Sequence, residues 1–179
     1  MSKYFFNKKV DAVILCGGLG SRLKKISKGK PKSLIKINQK NILCYIINEL
    51  KKYNFNKIYL LIGYKAEKFL KYESKKYNFI PLEYIREKNP MGTGGALFGL
   101  KKKNINDFIL LNGDSLFPIN YVELQKVAKN KIGSIGITAN GDYKSNNKLN
   151  NLDLNKQTLV FNSKSQLMNG GVYFFKNVK

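Results

Sequence analysis

At 179 residues the chain is one domain's worth, long enough to bury a core without staples, and its hydrophobic content of 43% is ordinary for a globular protein. It carries 33 Lys+Arg against 11 Asp+Glu, a formal net charge of +22, and it has no histidine. That absence excludes Ser-His-Asp and Cys-His catalysis and any His-based metal site, leaving carboxylates, lysine, arginine, backbone amides and a hard metal to do any chemistry.

In chain order, Asp11 to Cys16 (DAVILC) is a continuous apolar run ending at Gly17-Gly18, which predicts a central strand buried on both faces. Asn41 to Tyr53 predicts a helix with Ile42, Tyr45, Ile46 and Leu50 on one stripe, and Lys57 to Ile62 predicts the next strand. Lys65 to Tyr77 reads as an exposed amphipathic helix, Phe79 to Ile85 as a short strand, and Thr93 to Lys103 as a helix entered through glycines. Phe108 to Leu111 is another buried strand, running into Asn-Gly-Asp. A helix from Asn120 to Asn130 starts at an Asn cap, and from there the pattern turns all-β: Gly133 to Ala139, a polar turn-rich stretch, Gln157 to Phe161, and Gly171 to Phe175. Strands alternating with helices at this spacing imply a doubly wound, Rossmann-like α/β fold, a mixed sheet flanked by helices with a β-rich C-terminal portion. In such a sheet ligands bind at the carboxyl ends of the strands. Three glycine-rich or polar strand ends therefore share one rim: after Cys16, before Met91, and around Asp114.

The positive charge invites a phosphate-rich partner. It is lysine spread along the whole chain, however, alongside abundant Asn and Ile, which has the look of AT-rich codon bias, and no interleaved arginine and aromatic stripe of a single-strand binder accompanies it. Nucleic acid is therefore not the expected partner. No apolar run approaches the roughly 18 to 20 residues that span a bilayer, and the N-terminal segment leads into a glycine loop rather than a cleavage site, so no membrane association and a cytoplasmic setting are expected. Cys16 and Cys44 read as small core residues.

The strongest local signal is LCGGLGSRL, Leu15 to Leu23, followed by Pro31-Lys32-Ser33. Glycines at 17, 18 and 20 let backbone amides turn toward phosphate oxygens, with Arg22 and Lys32 to neutralise them. The spacing does not fit a dinucleotide fingerprint, because Ile62-Gly63 stands where an acidic residue would end the second strand, and G-K-[ST] is missing for a P-loop.

With these residues in view the sequence resembles the sugar-1-phosphate nucleotidyltransferases, whose first motif is close to L-A-G-G-x-G-x-R-L followed by P-K-P. Four further segments agree in order: Pro90-Met91-Gly92-Thr93-Gly94-Gly95-Ala96 is similar to the nucleoside-binding P-L-G-T-G-G-A, Leu111-Asn112-Gly113-Asp114 to L-N-G-D, Phe161 to Lys164 to F-x-E-K, and Asn169-Gly170-Gly171-Val172-Tyr173 to N-x-G-x-Y. The form G-T-G-G-A with L-N-G-D-S is most similar to the guanylyltransferases for heptose 1-phosphate.

The resemblance implies a GT-A-like nucleotidyltransferase domain over 1–179 that joins a nucleoside triphosphate, GTP favoured, to a sugar 1-phosphate of heptose or mannose type. A uridylyl- or thymidylyltransferase for a hexose 1-phosphate, and a nucleotide-binding relative with little turnover, are the alternatives. It implies Mg²⁺ on Asp114, and Arg22, Lys32 and Asp114 as the catalytic residues. Leu15, Gly17, Gly18, Gly20, Ser21, Arg22, Glu87, Gly92, Thr93 and Gly94 would hold the nucleotide, with Glu87 accepting guanine N–H groups; Lys164, Asn169 and Gly170 would hold the sugar phosphate. Plainer readings stand beside these: Asn-Gly-Asp is good turn chemistry, a glutamate at a strand end is commonly just solvated, and Asn169-Gly170 reads equally as a hairpin turn. The pattern is broken at Ser163, where the family has glutamate, and at Ser33, where it has proline. The family's second metal-binding aspartate would lie beyond Lys179, so truncation relative to the family is expected, with Asp11 or Asp142 as substitutes otherwise. The oligomeric state stays open, a homo-oligomer included.

Overall fold

In this computed structural model the described residues are 3–18, 27, 29–70, 80–87, 92–139, 151–155, 158–161 and 167–176. They form β1 (Val10–Leu15), a two-stranded ribbon of β2 (Lys36–Ile37) and β3 (Lys40–Asn41), α1 (Ile42–Leu50), β4 (Ile58–Ile62) and β5 (Leu82–Arg86). Then come α2 (Gly92–Ala96), continued as a 3₁₀ helix over Leu97–Lys102, β6 (Asp107–Asn112), α3 (Tyr121–Val127), β7 (Gly133–Ala139), β8 (Asn151–Asn155), β9 (Thr158–Phe161) and β10 (Leu167–Phe175).

Among the described residues eight strands make one sheet, in the order β5-β4-β1-β6-β10-β8-β9, with β7 also paired to β10. The β5-β4-β1-β6 half is parallel, and every pairing made by β7, β8, β9 and β10 is antiparallel. This is the expected mixed sheet with its β-rich C-terminal portion. From β1 the chain steps outward through β4 to β5 and then returns to place β6 on the other side of β1. The direction of winding reverses there, and a crevice opens between the two strand ends.

The continuous apolar runs have a simple cause. Strand side chains alternate between faces, and here both faces are covered. Val10, Ala12, Ile14, Ile58, Leu60, Ile62, Ile109, Leu111, Val172 and Phe174 pack with α1 and α3 in one core. Val13, Tyr59, Leu61 and Leu110 face the other way, against Ala96, Leu100 and Ile105.

Beside the β2–β3 ribbon and β8, which were not expected, three helical elements differ from the sequence reading. The buried stripe of α1 is Leu43, Ile46, Ile47 and Leu50, rotated from the expected set, and Asn41 caps it by accepting from Cys44 N at 2.8 Å. The expected helix from Lys65 begins as a 3₁₀ turn, Ala66–Lys68, entered through Lys65 in the left-handed region (φ 52°), a poor start for an α-helix; residues 71–79 lie outside the described set. The helix from Thr93 is one α turn, Gly92–Ala96, before tightening to 3₁₀, as expected of a start that contains three glycines. Asn120 does cap α3, accepting from Val122 N at 3.1 Å.

Candidate active site

The crevice at the winding reversal is built from strand tips. Gly113 N donates to Leu15 O at 2.9 Å, holding the end of β6 against the end of β1. A β-carbon on Gly113 would stand 2.5 Å from Leu15 O and 2.9 Å from Cys16 Sγ, so this close approach requires glycine. The chain leaving β1 turns through Gly17 and Gly18, and the chain leaving β6 presents Asp114. A 3₁₀ turn at Lys32–Leu34 closes one side, fixed by Leu34 N donating to Pro31 O at 2.9 Å and by burial of Leu34. The result is a cleft of about 430 Å³ lined by Leu15, Gly17, Gly18, Lys32, Glu87, Gly92, Thr93 and Asp114, together with Cys16, Ser33, Ala96, Asn112 and Gly113.

Lys32 and Asp114, 82 residues apart in sequence, meet there: Lys32 Nζ lies 3.2 Å from Asp114 Oδ2. The other carboxylate oxygen accepts from Ser115 Oγ at 3.2 Å. Both charged side chains stay within reach of solvent, 29% and 37% exposed. The opposite wall carries Glu87, whose backbone N–H donates to Ile62 O at 2.8 Å. Its carboxylate lies against bare backbone, 3.3 Å from where a β-carbon on Gly17 would sit and 3.4 Å from one on Gly63. Burial raises the Glu87 pKa above the ordinary glutamate value, and among the described residues no hydrogen bond or cation offsets it. A half-buried acceptor in a cleft, without a partner among the described residues, is suited to N–H donors brought by a ligand. Under the floor, burial pushes the Cys16 thiol to about 12, so it is an inert core group.

The other expected site residues fall in three places. Gly94 faces a separate apolar hollow with Leu97 and Phe98. Asn169 Nδ2 donates to Tyr173 Oη at 2.6 Å and its Oδ1 accepts from Gly171 N at 2.8 Å, while Gly170 is pressed on the Phe117 ring; neither residue lines the cleft. Gly20, Ser21, Arg22 and Lys164 lie outside the described residues, as does Asp142. Asp11 cannot complete a metal site here. It sits at the amino end of β1, fully buried, accepting from Asn56 Nδ2 at 2.8 Å and from Asn106 N and Nδ2 at 2.8 and 3.0 Å. Reading by sequence passed over Cys16, Ser33, Ala96, Asn112 and Gly113, although all five stand inside quoted motifs.

A cleft at the reversal point of a doubly wound sheet, with glycine backbone on one side and a lysine–aspartate pair on the other, defines a nucleotide-binding α/β domain. The comparisons narrow the class. The sequence profile of the nucleotidyl transferase family matches residues 11–149, and the chain belongs to that family of enzymes, on its sugar-1-phosphate branch. It is 35% identical over 170 residues to D-glycero-alpha-D-manno-heptose 1-phosphate guanylyltransferase of Campylobacter jejuni, covering 92% of this chain and 75% of that one. It is also 35% identical over 177 residues to bifunctional protein GlmU of Methanococcus maripaludis, covering 94% of this chain but 40% of that one. In structure it is similar to HddC from Yersinia pseudotuberculosis complexed with GMP-PN, with a TM-score of 0.77 at 25% identity over 93% of this chain and 76% of that one. Among the described residues no helix is long and apolar enough to cross a membrane.

Proposed function

We propose that the domain transfers a nucleoside monophosphate from GTP to a sugar 1-phosphate of heptose or mannose type, releasing pyrophosphate. The observation that carries this reading is the meeting of Lys32 and Asp114 in the cleft that Gly17 and Gly18 share. In the reaction an oxygen of the sugar phosphate attacks the α-phosphorus in line, the bond to the β-phosphate oxygen breaks, and its electrons leave with pyrophosphate. Both reactants are anionic, so the protein's task is alignment and charge neutralisation rather than proton transfer, which a chain without histidine can perform. The amides of Gly17 and Gly18 would receive phosphate oxygens, and Lys32 would offset charge on the transferring phosphoryl group. Arg22 would hold the outer phosphates, and Lys164 the sugar phosphate.

Asp114 fits a Mg²⁺ ion by the chemistry of its donors. It is a half-exposed carboxylate, and among the described residues no cluster of three metal-ligating side chains surrounds it. That donor set suits a hard cation that takes most of its oxygens from water and substrate phosphates. When bound, the ion would neutralise charge on those phosphates. Glu87 would accept guanine N–H groups, a role supported by its carboxylate, which lies beside Gly17 and Gly63 without a partner among the described residues, and by the guanylyltransferase relative. A reaction that consumes a nucleoside triphosphate fits the expected cytoplasmic setting.

The test is pyrophosphate release with each of the four nucleoside triphosphates against heptose, mannose, glucose and N-acetylglucosamine 1-phosphates. GTP with a heptose or mannose phosphate should be fastest. A preference for UTP or dTTP would move the domain to the uridylyl or thymidylyl reading, and nucleotide-dependent stabilisation without product would make it a binding relative.

A further inference from the structure

We propose that before nucleotide binds Lys32 holds the cation's place on Asp114 and yields it more readily to a polyphosphate chelate than to the free ion, so that the divalent ion enters with nucleotide rather than ahead of it. This rests on the metal role proposed for Asp114. Both carboxylate oxygens of Asp114 are already engaged, one by Lys32 Nζ at 3.2 Å and the other by Ser115 Oγ at 3.2 Å. The other carboxylate lining the cleft, Glu87, is on the far wall against Gly17 and Gly63. A free hydrated cation would therefore have to displace an ammonium, shed water, and gain one carboxylate in return. Mg²⁺ dehydrates reluctantly, so that exchange is poor.

A triphosphate changes the balance, because it brings anionic oxygens for both cations at once. Lys32 passes from Asp114 to phosphate as the metal passes from water to Asp114, and one ion pair becomes two. Lysine suits this better than arginine would: a point charge with rotatable donors on a flexible stem can swing between partners without losing a bidentate geometry. The base of that stem stays fixed, since Lys32 sits in a turn pinned by buried Leu34. Lys32 thus serves twice, first as stand-in for the metal and then as ligand of the phosphate.

Manganese(II) titration without nucleotide, followed by the electron paramagnetic resonance of the free ion, tests this. Lys32→Gln should bind Mn²⁺ about fivefold more tightly than the wild type, the scale set by a partly exposed ion pair. Lys32→Arg, which keeps the charge, and Lys36→Gln, an exposed lysine outside the cleft lining, should not. Asp114→Asn should lose Mn²⁺ binding in either background. If Lys32→Gln binds Mn²⁺ no more tightly while Asp114 is still required, the exchange is wrong and the metal site stands. If Asp114→Asn binds as the wild type does, the metal reading itself is wrong, and the exchange with it.

Discussion

The two rims of the sheet each carry an aspartate, and the two are treated in opposite ways. At the amino rim Asp11 is fully buried and ties together the segments entering β4 and β6 through Asn56 and Asn106, three hydrogen bonds in all. At the carboxyl rim Asp114 is 37% exposed and holds a lysine and its neighbour's hydroxyl. A buried carboxylate with every partner supplied by the protein serves the fold. One left partly solvated beside a partly exposed lysine is available to a ligand. The same residue type is structural at one end of the sheet and, in the proposed reading, chemical at the other, and the partners make the difference.

The comparison can be broken at either rim. Asp114→Ala is expected to lower pyrophosphate release by about 10³-fold, the scale on which one electrostatic partner of a transition state is lost, with the melting temperature nearly unchanged. Its mirror image is Asp11→Ala, which removes the buried acceptor of the three hydrogen bonds that Asn56 and Asn106 donate. Thermal unfolding should show a loss of about 3 kcal/mol, or a fall of roughly 6 to 12 °C, while the folded fraction keeps its activity. Reversed outcomes for this pair would abolish the division between the rims.

Gly113→Ala probes where the two demands overlap. The added methyl meets Leu15 O at 2.5 Å, so β6 must draw back from β1. Denaturant titration should register about 2 kcal/mol of destabilisation, with activity lost as well. Glu87→Gln carries the smallest effect, a fall of about tenfold in GTP over UTP preference, on the scale of one recognition hydrogen bond.

Glu87 also predicts a pH dependence. Because burial raises its pKa in the folded state, the native protein holds that proton more tightly than the unfolded chain does. Its contribution to stability is therefore full below the ordinary glutamate value and is lost as pH rises through the raised value. Guanine recognition needs the ionised form and should run the other way, so GTP preference should fall as pH drops through that value. A selectivity that is flat across that range would remove Glu87 from base recognition.

Much of this was legible before any coordinates. The parallel strands announced themselves because burial on both faces leaves uninterrupted apolar runs, and the glycine turn, Lys32, Glu87 and Asp114 were marked by motif and by position on one rim. What escaped had physical causes. β8 lies in a stretch dense with Asn and Asp, residues that favour turns, and its pairing partners β9 and β10 are set by tertiary contact. The tightening of α2 follows from its glycines. Cys16, Ser33 and Asn112 stood inside quoted motifs, but that they line one cleft depends on the reversal between β1 and β6 and on the Lys32–Leu34 turn packed beside it, which no local pattern encodes. Asn169 carried a motif signature, yet its amide is used within β10 on Tyr173 and Gly171.

The most direct measurement is anomalous diffraction from crystals holding Mn²⁺ and a non-hydrolysable GTP analogue. The account predicts a manganese peak about 2.1 to 2.2 Å from an Asp114 carboxylate oxygen, with phosphates against Gly17 and Gly18 and Lys32 turned onto them. Manganese and phosphates bound elsewhere, with Asp114 still paired to Lys32, would contradict it.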